Sequence, residues 1–220
     1  MAAPTLRTER RLLRQGYRAV ACVDEVGRGA LAGPVTVGVV VVTGQTPPAP
    51  AGVMDSKLLS AARREALAPL VQHWAPHAVG QASSEEIDEL GIMAAMRLAG
   101  LRALVMLEQS ETRPDLILLD GNQDYLSRKG QSALFDEGPE VALPPVRTQV
   151  KADLTCAGVA AASILAKVSR DAWMVQAAGL HPDYGWESNK GYASPDHLAA
   201  LQRLGPSALH RVSWQLPGPE

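Results

Sequence analysis

Val23-Asp24-Glu25-Val26-Gly27-Arg28-Gly29-Ala30-Leu31-Ala32-Gly33-Pro34 is the stretch whose reading decides the fold. An apolar run, Ala19 to Val23, delivers two adjacent carboxylates, and a glycine-bracketed arginine follows at once. A second run, Val35 to Thr43, then begins. Both runs are dense in valine, which suits a buried strand better than a helix. The layout is therefore strand, glycine-rich turn, strand. Two carboxylates at the end of a core strand are costly unless something neutralises them. A hard divalent cation is the usual remedy, because such ions prefer carboxylate oxygens. On a regular strand Asp24 and Glu25 point to opposite faces. One site can use both only if the strand ends, twists or bulges there, which Gly27 and Gly29 permit.

Two rival readings start from the same residues. Gly27-x-Gly29-x-x-Ala32 fits a loose dinucleotide-binding fingerprint, but that motif must open a helix. Here Pro34 and the valine run Val35 to Val42 read as strand, and the acidic pair would repel a phosphate. The plainer alternative is a hairpin carrying two solvated acids.

Working outward, the chain of 220 residues is long enough for one α/β domain with a substantial core. Its formal net charge of -2 means that a polyanionic partner must be met by a local basic patch. The two cysteines, Cys22 and Cys156, lie in apolar runs and suggest no disulfide scaffold, as expected in a reducing cytoplasm. The charged start, Met1 to Gly16, reads as no signal peptide, and no apolar stretch approaches a membrane span.

Residues 5–15 read as a short helix or loose arm with a solvated basic face. Ser60 is a plausible N-cap for a helix over 61–74 that Pro69 should kink or split. His77 to Ala82 reads as a strand, Ser83-x-x-Glu86 as a capping box, and 92–107 as a buried helix. Asp115 to Leu119 reads as a core strand running into Asp120-Gly121-Asn122. Residues 123–145 are polar and unpatterned, and read as a loop or partly disordered insert. Lys151-Ala152-Asp153 precedes a long alanine-rich helix over about 158–178. Ser194-Pro195 starts a last helix to Leu204.

Three acidic sites thus fall at or just beyond strand ends: Asp24 with Glu25, Asp120, and Asp153. Carboxylates gathered there could hold one or two Mg²⁺ or Mn²⁺ ions, and paired ions of that kind cleave phosphodiesters. Zinc-spaced His and Cys residues, a nucleophile elbow and a Walker loop are all missing. Taken singly, each residue has a blander role. Asp120-Gly121 is commonly a turn and Asp153 a helix cap. Lys167, Arg170 and Asp171 would be surface ion pairs, Tyr192 a packed aromatic, and His197 and His210 surface or capping residues.

Taken together, these segments resemble the bacterial ribonuclease HII family, the type 2 ribonucleases H. The resemblance rests on Val23-Asp24-Glu25-Val26-Gly27-Arg28-Gly29, Asp55-Ser56-Lys57-Leu58-Leu59-Ser60, Leu118-Leu119-Asp120-Gly121-Asn122 and Lys151-Ala152-Asp153. It rests equally on Ala160-Ala161-Ala162-Ser163-Ile164-Leu165-Ala166-Lys167-Val168-Ser169-Arg170-Asp171 and Lys190-Gly191-Tyr192, and it runs from about Ala19 to Trp214. The resemblance implies an α/β, ribonuclease H-like mixed sheet flanked by helices. With the basic arm read over 1–18, it divides the rest into a catalytic domain over 19–180 and a C-terminal helical substrate-binding region over 181–220. The implied activity is metal-dependent hydrolysis of the RNA strand of RNA–DNA hybrids. Cuts 5′ to single ribonucleotides in duplex DNA, leaving 3′-hydroxyl and 5′-phosphate ends, are implied as well. By match of motif, Asp24, Glu25, Asp120 and Asp153 are the catalytic carboxylates and hold Mg²⁺ or Mn²⁺. Gly27, Arg28, Gly29, Lys57 and Tyr192 meet the substrate. Neither a membrane nor an obligate protein partner is implied. The chain departs from the family pattern at Leu58, Ala152, Asn189 and the tail His210-Arg211-Val212-Ser213-Trp214.

Overall fold

The computed structural model describes residues 3–108, 112–127 and 143–218. In chain order the elements begin with α1 (Arg7–Arg14), β1 (Ala19–Val26), β2 (Val35–Thr43) and α2 (Ala61–Trp74). Next come β3 (His77–Ala82), α3 (Ser84–Leu90), α4 (Ile92–Glu108), β4 (Leu116–Asp120) and β5 (Val146–Gln149). The chain closes with α5 (Ala152–Thr155), α6 (Ala157–Leu180), α7 (Trp186–Asn189) and α8 (Pro195–Leu204). The five strands form one sheet in the order β3-β2-β1-β4-β5. β1 runs antiparallel to β2 and β2 to β3, whereas β1–β4 and β4–β5 are parallel.

Helices cover both faces, which is why the central strands are valine-rich throughout rather than alternating. Ala19, Ala21, Val23, Val37 and Val39 face α4. Cys22 and Val42 face α1 and the start of α6, and Val40 faces α2 and α6. Each large aliphatic side chain removed from water in these layers contributes about 1.5–3 kcal/mol. Gly38 lets α6 approach closely, since a Cβ there would stand 2.3 Å from the Ala162 carbonyl oxygen.

Several sequence expectations need correction. α1 is docked, not loose. Leu6 and Leu12 are buried against the sheet, and Glu9, fully buried, accepts a hydrogen bond from Gly158 N at 2.8 Å. Burial pushes the Glu9 carboxyl up in pKa, against the hydrogen bond from Gly158. Pro69 does not split α2. It lies on the exposed side, where water can meet the backbone carbonyl that loses its helical donor. The capping box at Ser83 and Glu86 forms as expected. Of the expected loop over 123–145, residues 128–142 lie outside the described residues. Its opening is core, not insert, because Tyr125 and Leu126 are buried beneath α4. Asp124 shapes that turn by accepting from the backbone N–H groups of Leu126 and Ser127.

Candidate active site

The site forms where β1 outlasts its parallel neighbour. The β1–β4 pairing ends at Val23 with Leu119, one position before Asp24 and Asp120. β1 continues against β2 in unbroken register, with Asp24 opposite Gly38 and Glu25 opposite Val37. No bulge is needed. Asp24 shares the α6 face with Cys22, and Glu25 shares the α4 face with Val23, as strand alternation requires. The two acids serve one site because β4 stops beside them, and Asp120 acts on both.

Asp120 in turn fixes Asp153. One carboxylate oxygen of Asp120 accepts from Ala152 N at 2.7 Å and Asp153 N at 3.4 Å, at the start of α5. Lys151 turns the chain there with a left-handed φ of 58°, a conformation that a non-glycine residue adopts at some cost. Lys57 reaches in from the turn after β2, its Nζ 3.7 Å from Asp153. That turn is held by Asp55, which accepts from Lys57 N at 3.0 Å. Arg64 of α2 donates to the Ser56 and Leu59 carbonyls at 2.9 and 2.6 Å.

The electrostatics match the geometry. Burial, then Glu25 and Asp120, push Asp24 well above the usual carboxylate range, with only Lys57 opposing. Burial and Asp120 raise Glu25 against Arg28, Tyr125 and Lys57. Burial, Asp120 and Asp55 raise Asp153, and Lys57 again opposes. Burial alone would lower Lys57, but Asp24, Asp55, Asp153 and Asp120 raise it on balance. Among the described residues, no three acidic, histidine or cysteine side chains converge closely enough to hold an ion as they stand. The donor chemistry nonetheless fits a hard cation. All the candidate ligands are oxygens, and Asp24, Glu25 and Asp153 are each penalised by the charge of their neighbours.

Beside the acids lies the loop over 27–34. Arg28 is exposed and donates to Gln123 Oε1 at 2.5 Å. Leu31 N and Ala32 N donate to the Gly191 carbonyl at 2.8 and 3.3 Å, which ties the loop to the turn carrying Tyr192. The half-buried Tyr192 ring lies 5.7 Å from Lys167 Nζ and 5.2 Å from the Arg170 guanidinium carbon. The structure therefore draws Asp24, Glu25, Asp120, Asp153 and Lys57 into one electrostatic cluster, and joins Gly27, Arg28 and Gly29 to Tyr192 as a second unit.

Sequence reasoning missed several neighbours. Asp55 lay inside a quoted motif but was given no role. Tyr125 sat in a stretch read as a loop. Its buried hydroxyl has no partner at hydrogen-bond distance among the described residues, yet it stands near enough to Glu25 to perturb it. Burial, then Glu25 and Asp24, push the phenol well above its usual range. Arg170, read as a surface residue, is fully buried. So are His197 and His210, because the C-terminal region packs a small core of its own against the end of α6. Trp186 Nε1 donates to His197 Nε2 at 3.1 Å, and the two histidine Nε2 atoms lie 3.0 Å apart.

A mixed sheet in this order, with acids gathered at the ends of its central strands, has the ribonuclease H-like architecture. Solved structures agree on the fold. Ribonuclease H2 from Pyrococcus horikoshii matches with a TM-score of 0.66 at 25% identity, over 90% of this chain and 94% of that one. A Bst ribonuclease HIII in complex with Mn²⁺ matches in fold with a TM-score of 0.68 at 22% identity, over 90% of this chain and 67% of that one. The family model described as Ribonuclease HII matches residues 21–216. A ribonuclease HII of Streptomyces avermitilis is 46% identical over 214 residues, covering 96% of this chain and 84% of the relative. The chain belongs to the ribonuclease HII family.

Proposed function

We propose that this ribonuclease H requires Mg²⁺ or Mn²⁺ and cuts RNA–DNA hybrids and duplex DNA holding a single ribonucleotide. The cut falls 5′ to the ribonucleotide and leaves a 3′-hydroxyl and a 5′-phosphate. The observation that carries this reading is the coupling of Asp24, Glu25, Asp120 and Asp153 beside a loop tied to Tyr192. Those carboxylates would hold the cation. When bound, such an ion lowers the pKa of a water and offsets charge at the scissile phosphate.

The chain's own residues do the rest. Asp120 fixes the α5 start and so orients Asp153. Lys57 offsets part of the acid field, and being exposed it can also meet a phosphate. Exposed Arg28 adds positive charge beside the strand ends. Gly27 and Gly29 place backbone, not side chain, against the sugar, and Tyr192 offers a ring face to the neighbouring deoxyribose. The 2′-hydroxyl is the chemical mark of the ribonucleotide, so selection must be made there. Action in the cytoplasm belongs to the same reading and is supported by two free, buried cysteines. Among the described residues no helix is long and apolar enough to cross a membrane. No obligate protein partner is part of the proposal.

The test is cleavage of a duplex with one embedded ribonucleotide, in Mg²⁺, in Mn²⁺ and in EDTA. Incision with either ion and none in EDTA is expected. Equal incision in EDTA, or cutting of an all-DNA duplex at the same rate, would overturn the proposal.

A further inference from the structure

Two arginines lie buried beneath the 27–34 loop, and neither pairs with an acid. Arg170 and Arg211 are both fully buried, and among the described residues neither lies within ion-pair distance of a carboxylate. Both spend their donors on backbone carbonyls. Arg211 donates to Gly27 O at 2.7 Å and Arg28 O at 3.0 Å, and to Gly33 O from Nε at 3.3 Å and from Nη2 at 3.0 Å. Arg170 donates to Pro34 O at 2.8 Å, Ala32 O at 3.0 Å and Lys190 O at 2.9 Å. An uncompensated buried charge is expensive. Burial pushes Arg211 down to about 9 and also lowers Arg170.

The carbonyl directions have a consequence for the loop's outer surface. In a trans peptide the C=O and N–H of one unit point opposite ways, and the chain has no cis bond among the described residues. With Gly27 O and Arg28 O drawn inward by Arg211, the N–H groups of Arg28 and Gly29 turn outward. Two successive outward amides make an anion-binding concavity, and two buried guanidinium charges lie behind it. Arg170 adds a strut, since one guanidinium holds both the loop and the Lys190 carbonyl beside Tyr192. Gly27, at φ +87°, leaves room for it, because a Cβ there would stand 2.2 Å from Arg170 Nε.

We infer that Arg170 and Arg211 are positioning residues: they orient the Arg28 and Gly29 amides toward the 2′-hydroxyl of the ribonucleotide and its adjoining phosphate, and fix the spacing between that loop and Tyr192. This rests on the reading that the loop and Tyr192 select a ribonucleotide junction. The conservative substitutions are Arg170→Lys and Arg211→Lys. Lysine keeps the charge, but it is a point donor without the planar fork that spans several carbonyls.

The experiment measures binding in EDTA to matched duplexes with and without one ribonucleotide, together with thermal unfolding. Native protein should prefer the ribonucleotide duplex. Each lysine variant should lose about tenfold of that preference, the scale of one charge-assisted hydrogen bond, while its weak affinity for all-DNA duplex changes little. Equal loss on both duplexes, or an unchanged preference, would overturn the inference. A native chain without preference would instead defeat the reading of the site. If a variant fails to fold, hydrogen exchange on native protein decides. The Arg28 and Gly29 amides should be slowed by the ribonucleotide duplex and less by the all-DNA duplex. Equal exchange with both would overturn the inference.

Discussion

Asp24 sits in a charge conflict. It is buried, and Glu25, Asp120 and Asp153 all disfavour its ionised form. Asp24→Asn removes that conflict along with a proposed cation ligand. Cleavage should fall by roughly a thousandfold or more, as when a group acting directly on the transition state is lost. The metal-free thermal midpoint should hold or rise. The pH response has a definite sign. Because the folded pKa of Asp24 lies above its ordinary 3.8, the folded state holds the proton more tightly. Asp24 thus adds stability that is present below about 4 and lost as pH rises through the raised value. Unfolding in EDTA should show that loss in native protein and less of it in Asp24→Asn; parallel curves would contradict the assignment. Tyr125→Phe tests the residue that sequence reading passed over. Its hydroxyl lies beside Glu25 and has no partner at hydrogen-bond distance among the described residues, so kcat should fall by about three- to tenfold, with a small change in thermal midpoint. Unchanged kcat would show the hydroxyl to be idle.

At the scale of elements, α1 ties the start of the chain to the start of α6. Glu9 serves as a distant cap for α6, and Leu12 completes the apolar layer above Cys22. Leu12→Ala should cost about 2–5 kcal/mol in chemical denaturation, as for other buried leucines. A loss below about 0.5 kcal/mol, the level of an exposed site, would mean that α1 is not docked in solution. None of this was visible in the sequence, where four arginines over residues 7–14 masked two buried leucines and a buried acid. The strands were legible because valine density and flanking glycines report directly on burial. Asp24, Glu25 and Asp120 were legible because each follows such a run, whereas Asp153 lies beyond β5 in the first turn of α5. The buried arginines and histidines were not, since polar residues become interior only through partners remote in sequence. His210 illustrates the cost. Burial, then His197, hold it down at about 4. A depressed histidine stabilises the fold above the unfolded value of about 6.5, and that contribution fades as pH falls toward 4. His210→Gln should therefore flatten the decline of thermal midpoint between pH 7 and pH 5. An unaltered decline would place the acid sensitivity elsewhere.

At the scale of the whole molecule, the problem is to bring a polyanion to a chain of formal net charge -2 that gathers acids at its site. The attraction has to come from a local set: Arg28, Lys57, Lys151 and Lys190, with Lys167 partly committed to Asp171 at 2.7 Å. Four phosphate contacts would give a log–log dependence of affinity on salt with a slope of roughly -4. Duplex titrations from low to moderate salt check this, and a flat response would remove the phosphate-tracking surface from the account. In the proposed function, the sheet order, the site at the ends of β1 and β4, and the C-terminal core beneath the loop all serve one act, incision at a ribonucleotide. The most direct measurement is product mapping on a duplex with one embedded ribonucleotide in Mg²⁺, for native protein and Asp120→Asn. A single cut on the 5′ side of the ribonucleotide, ending in a 3′-hydroxyl, is expected from native protein, and no cut from the variant. A cut on the 3′ side, a cyclic phosphate end, or near-native turnover by Asp120→Asn would contradict the proposed function.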